Sequence, residues 1–160
     1  MGLLNLCQIA ILGNIFLSDS MVSNNAHASL ERLNMTKDEV DAFKGLYPEK
    51  HYIFLPNEKN PEEVIVELRT PVRDHSVAVA LVEKSAPHFH TTITEVYCVE
   101  EGVIFLFVEG VGVVELQKGD VFVIKPNTIH HVEVEAGSSP ARVKVISSPP
   151  WAACDHHLAK

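Results

Sequence analysis

Pro87–Gly102 reads PHFHTTITEVYCVEEG, and Gly119–His131 reads GDVFVIKPNTIHH. Both segments are rich in β-branched and aromatic residues, and both are punctuated by glycine-containing turns. They carry three histidines and a carboxylate, His88, His90, Glu95 and His130. Strand side chains alternate between faces, so His88 and His90 point to one side and Phe89 to the other. The Thr91–Thr94 turn returns the chain, Glu95 enters from the start of the next strand, and His130 begins a later one. In a closed barrel, inward residues of neighbouring strands converge.

The same rhythm extends outward from these segments. From Tyr52 onward, short β runs alternate with turns at intervals of roughly 8–12 residues, the spacing of a sandwich or barrel. The predicted strands are Tyr52–Leu55, Val64–Arg69, His75–Lys84, Ile93–Val99, Ile104–Val108, Gly112–Leu116, Val121–Ile124, His130–Glu135 and Arg142–Ser147. Ahead of them, Thr36-Lys37-Asp38-Glu39 is a capping box, and Val40, Phe43 and Leu46 recur at helical spacing. A helix is expected from about Lys37 to Leu46, halted at Tyr47-Pro48 and packed on the barrel wall.

At 160 residues, with 46% hydrophobic and 21% charged residues, the chain has material for one domain and a real core. The net charge is −8 with only 13 Lys and Arg, and there is no basic run. Such a chain is a poor nucleic-acid binder, because phosphates demand clustered cations.

The first 28 residues differ from the rest. Leu3–Leu17 is a 15-residue apolar stretch, too short for the ~18 or more residues of a spanning helix, and Ala26-His27-Ala28 offers small residues where a signal peptidase reads. The preferred reading is a secretory signal cleaved after Ala28. That would make the protein extracytoplasmic (periplasmic or secreted), with no stable membrane span in the mature chain. The opposing reading, favoured by the lack of any Lys or Arg before Arg32, is an uncleaved apolar helix or a mispredicted start, in a cytoplasmic protein. The expected organisation is 1–28 signal, 29–51 helical segment, 52–150 barrel domain and 151–160 tail. Cleavage would leave Cys98 and Cys154, which either pair in an oxidising compartment or stay free.

Three imidazoles and a carboxylate suit one divalent first-row ion at about 2.0–2.2 Å per ligand. The set favours Fe, Mn, Zn, Ni or Co; with no thiolate, no soft metal is preferred. Four protein ligands on a six-coordinate ion would leave two positions open. An HxH pair alone is weak support. A carboxylate inside an apolar strand strengthens it, since burying that charge without a cation is costly.

His88-x-His90-x4-Glu95-x6-Gly102 resembles the first signature of the cupin superfamily, and Gly119-x5-Lys125-x-Asn127-x2-His130 resembles the second. Lys125 stands where the family usually has Pro, and Asn127 where it has Gly. Asn tolerates the left-handed conformation next best, so the turn should survive. The resemblance spans about Tyr52–Pro150. It implies an all-β, double-stranded β-helix (jelly-roll) cupin barrel with a short N-terminal helix, and His88, His90, Glu95 and His130 as metal ligands. The sequence is most similar to the small single-domain, mannose-6-phosphate-isomerase-like cupins, and a homodimer through edge strands is a family habit.

The function expected from this is a mononuclear metal-dependent enzyme acting on a small oxygen-rich substrate, of isomerase, dioxygenase, oxidase or lyase type. The alternative is a non-catalytic module that binds a metal or small ligand. A metal-free epimerase on the same barrel is the third reading, and it would need only a His with a carboxylate partner. Tyr97 shares the alternation of Glu95 and is a weak catalytic candidate, more simply a core aromatic. His131 should face outward. Arg69, Arg73 and Lys84 are anion-binding candidates, or solvated edge charges. Asp155-His156-His157 could hold a second ion, but a mobile, solvated tail is the preferred reading. Trp151 should fold back over apolar surface. Phe105, Phe107, Val113, Val121 and Val123 are expected to line the barrel or its outer core.

Overall fold

The structure is a computed structural model, and it describes residues 35–69 and 74–160, apart from the side chain of Arg69. The proposed signal segment, Cys7 and Arg73 lie outside the described residues, as does the side chain of Arg69.

Helix α1 spans Lys37–Leu46. Thr36 caps it: its hydroxyl accepts from the Glu39 amide, and the Glu39 carboxylate accepts from the Thr36 amide at 2.9 Å. Asp38 and Glu39 in the first turn and Lys44 in the last complement the helix dipole. The helix ends at Tyr47, as the following Pro48 requires.

Among the described residues eleven strands follow: β1 Tyr52–Leu55, β2 Glu63–Arg69, β3 Ser76–Val82, β4 His88–Phe89, β5 Thr94–Glu101, β6 Val103–Val108, β7 Gly112–Gln117, β8 Val121–Ile124, β9 His130–Glu133, β10 Ala141–Ser148 and β11 His157–Leu158. They form two sheets with strand orders β1-β2-β3-β10-β5-β8 and β11-β4-β9-β6-β7, and every pairing is antiparallel. This is a double-stranded β-helix with one short helix. Two-residue β4 and β11 were not predicted, because so short a strand leaves no periodicity to read.

Alternation gives the first sheet two buried faces. Val64, Val66, Val79 and Leu81 pack outward against Met35, Val40 and Phe43, beneath α1. On the inner face, Val82, Tyr97, Val99 and Val143 join Ile104, Leu106, Val108 and Val132 of the second sheet in the core between the sheets. A groove of about 330 Å³ beside α1, lined by Met35, Val40, Lys44 and Phe54 among others, therefore lies on the outer face, away from the histidines.

Register also corrects an expectation. In β6 the inward residues are Ile104, Leu106 and Val108, while Phe105 and Phe107 are only half-buried. Val113, Val121 and Val123 are more than half exposed. The apolar run VIFLFV satisfies either parity. What decides it is the pairing of Val108 with His130 and of Leu106 with Val132.

Candidate metal centre

His88, His90, Glu95 and His130 come together inside the barrel, all buried. β4 and β9 bring His88 and His130 into direct register, with ring centroids 4.3 Å apart. Glu95 reaches them from β5, in the opposite sheet, where Ser147 of β10 is its cross-strand partner. Its two carboxylate oxygens divide between two imidazoles: Oε2 lies 3.1 Å from His130 Nε2, and Oε1 lies 3.5 Å from His90 Nε2. The Ser147 hydroxyl lies 3.5 Å from Oε1. The ligand atoms of His88, Glu95 and His130 all fall within 4.8 Å of one another.

The tautomers are fixed from behind. His88 Nδ1 lies 2.8 Å from the Ala86 carbonyl, His90 Nδ1 2.8 Å from the Asp155 carbonyl, and His130 Nδ1 2.9 Å from the Thr128 carbonyl. A carbonyl only accepts, so each Nδ1 donates, and each ring in its neutral form would present a bare Nε2 lone pair to the interior. The Nε2 of His90 is buried with no hydrogen-bond partner in the protein. The centre therefore gathers three lone pairs around a carboxylate with almost no donor. That arrangement is unfavourable unless a cation or protons occupy it.

Electrostatics agree. Burial, reinforced by the neighbouring His130, pushes the His88 imidazole down to about 4, which favours the neutral, ligating form. Burial opposes ionisation of Glu95, but a hydrogen bond from protonated His130 and the charges that His90, His130 and His88 carry when protonated outweigh it and hold the carboxyl below its ordinary range.

The turn that presents the ligands depends on Asn127. It adopts φ 60°, so the left-handed position usually filled by Gly survives here with Asn. Its amide donates to the His90 carbonyl at 2.6 Å, tying the loop before His130 to the turn after His90. Gly102, at φ 85°, closes the β5–β6 hairpin where a Cβ would sit 3.1 Å from the Cα and Cβ of Ala141.

The other candidates fall as follows. Tyr97 points inward and is buried, its ring 5.9 Å from that of His130. Burial and the charges of Glu95 and Glu63 push its phenol well above its ordinary value, so it is a neutral hydroxyl and a potential donor. His131 faces outward and stacks on Phe107. Lys84 pairs with Glu133 at 3.0 Å, leaving the edge-charge reading for it. Cys98 and Cys154 are both free thiols, Cys154 exposed.

One group escaped the sequence reading, and a second departs from its preferred reading. The first is Glu63, whose strand was predicted to begin at Val64. Starting β2 one residue earlier places Glu63 on the face opposite Val64 and Val66, beside its inward cross-strand partner Val82. Burial, with the Glu95 charge adding to it, pushes its carboxyl up to about 7.

The second is the tail, which is not the mobile, solvated segment expected. A 3-10 turn at Ala153–Asp155 leads into β11, which pairs with β4. Buried Asp155 accepts from the amides of Thr91, Thr92 and Ile93 and from the hydroxyls of Thr91 and Thr92. His156 then stacks on His88 with ring centroids 4.6 Å apart. An Asp facing a Thr-Thr turn was the available signal, but only the fold makes these neighbours, 62–64 residues apart in sequence. Trp151 remains 41% exposed, with its ring 6.3 Å from that of His156.

No curated protein matches the sequence. Several solved structures resemble the fold. The Streptomyces nucleoside dehydratase Pac13 aligns with a TM-score of 0.57 at 16% identity, over 70% of this chain and 86% of that one. The polyketide cyclase RemF from Streptomyces resistomycificus aligns at 0.57 and 15%, over 70% and 81%. An RmlC-like cupin from Shewanella frigidimarina aligns at 0.52 and 17%, over 63% and 85%. Residues 77–147 match the cupin domain family, which takes in all four clustered residues. That match covers the heart of the barrel, and the fold as a whole is similar to these solved double-stranded β-barrels.

Proposed function

We propose that the protein binds one divalent transition metal through His88, His90, Glu95 and His130, and that it is a metal-dependent enzyme acting on a small, oxygen-rich molecule. The observation that carries this is the set of tautomers. Three Nδ1 atoms are committed to backbone carbonyls, which leaves three Nε2 atoms around the Glu95 carboxylate, with His90 Nε2 orphaned. The donor set of nitrogen and oxygen suits Fe, Mn, Zn, Ni or Co. A bound ion of this kind supplies Lewis acidity toward adjacent substrate oxygens.

The chain's own residues support an enzyme over a passive binding module. Besides the four ligands, the interior carries a neutral phenol at Tyr97 and a carboxyl near neutrality at Glu63, groups suited to holding or moving a proton beside a bound substrate. The similar barrels include a nucleoside dehydratase and a polyketide cyclase, so the scaffold admits catalysis. The isomerase-like subgroup and a homodimeric state belong to the same proposal.

One contact favours a second reading. His130 Nε2 at 3.1 Å from Glu95 is also the pair a metal-free acid–base enzyme would use. Elemental analysis of tag-free protein separates the two. About one equivalent of a first-row metal in the wild type, lost in both His88→Ala and His130→Ala, is the expected result. Metal-free wild-type protein that stays metal-free after incubation with each of the five ions would defeat the metal assignment.

A further inference from the structure

We propose that His156 is a fifth protein ligand of the same ion, delivered by the folded-back C-terminal segment. This rests on the metal reading above. Two sets of ligand atoms, each within 4.8 Å of one another, meet at His88: one is His88, Glu95 and His130, and the other is His88, His90 and His156. Ligands around one octahedral ion with bonds of ~2.1 Å are separated by about 3 Å when adjacent and about 4.2 Å when opposed. The 4.8 Å limit of each set is slightly wider than that span and the two share only His88, so an ion common to both would draw the side chains inward.

His88 is sandwiched between His130 at 4.3 Å and His156 at 4.6 Å between ring centroids, and His156 lies 5.5 Å from His90. His90, whose Nε2 is unpartnered, belongs to the set that contains His156.

The segment is anchored on both sides of His156. Before it, Asp155 takes five hydrogen bonds from Thr91, Thr92 and Ile93, and the Asp155 carbonyl accepts from His90 Nδ1. After it, His157 and Leu158 pair with Phe89 and His88, the His157 ring stacks on Phe89, and the Ala159 amide donates to the Pro87 carbonyl. The backbone is thus fixed to the strand that bears the ligands, and the imidazole is held over the site at little further entropic cost. Five protein ligands leave one open position on a six-coordinate ion, so an exogenous molecule would bind through a single atom.

The test uses the full chain, stripped of metal and titrated with Co²⁺ as the probe. X-ray absorption of the Co²⁺-loaded protein should count four imidazoles in the wild type and three in His156→Ala and His156→Gln. Affinity, read by chelator competition, should fall in both variants on the order of 10–100-fold or more. The metal-free variants should melt with the wild type, because His156 lies outside the core clusters. Unchanged imidazole count and affinity in both variants would overturn the role of His156 while leaving the four-ligand centre intact, provided His130→Ala abolishes binding. If His130→Ala also binds Co²⁺ normally, the four-ligand reading itself fails, and the fifth ligand with it.

Discussion

Glu63 is a residue whose effect can be read without knowing the reaction. Its carboxyl titrates at about 7 in the folded protein against 4.5 as an unperturbed group, because burial and the charge of Glu95 both oppose ionisation. Between these two values the folded protein keeps a proton that the unfolded chain has released. Stability must therefore fall as pH rises through that window, by up to about 3 kcal/mol once the pH is above 7. Glu63→Gln removes the titration and should flatten the dependence. Urea denaturation of metal-free wild type and variant at pH 5 and pH 8 measures it. A wild-type slope that survives the substitution assigns the effect elsewhere. The same residue shows where sequence reading stops. His88, His90, Glu95 and His130 were legible because their spacing repeats a strand-turn-strand pattern. Glu63 and the placement of His156 beside His88 were not, because each depends on strand register or chain reversal.

At the level of elements, alternation was legible where one parity was polar and silent where both were apolar. EVIVELR in β2 and the capping box of α1 state their faces, and β1 and β8 fall on their predicted bounds. VIFLFV in β6 states nothing, and its facing is set by the pairing with β9. The two-faced burial of the first sheet makes a separable prediction. Phe43, 3% exposed and edge-on to Tyr47 and Tyr52, seals the outer face. Phe43→Ala should cost about 3–5 kcal/mol in chemical denaturation, the usual range for a buried Phe. Metal content at 25 °C should be unchanged in the fraction that stays folded, because that cluster and the histidines lie on opposite faces. Loss of metal in the folded variant would show that the two faces are coupled.

For the whole molecule, the histidine cluster is the seam between the sheets. Glu95 comes from β5 in the first sheet, and His88 and His130 come from β4 and β9 in the second. No helix among the described residues is long and apolar enough to cross a membrane. An ion at that point cross-links the two sheets, and its ligands have no common geometry in the unfolded chain, so its binding energy becomes folding energy. At free metal a thousandfold above the dissociation constant, the gain is about 4 kcal/mol. For a domain of this size that corresponds to a rise in melting temperature of roughly 10–20 °C. Differential scanning calorimetry with and without the ion should show the shift, and chelator should reverse it. His130→Ala should abolish it, because the variant lacks the imidazole that the second sheet's central strand contributes. His156→Ala should reduce it without removing it, since the four remaining ligands still span both sheets. Equal shifts in wild type and His130→Ala would mean that the ion binds elsewhere and that the seam is held by protein contacts alone.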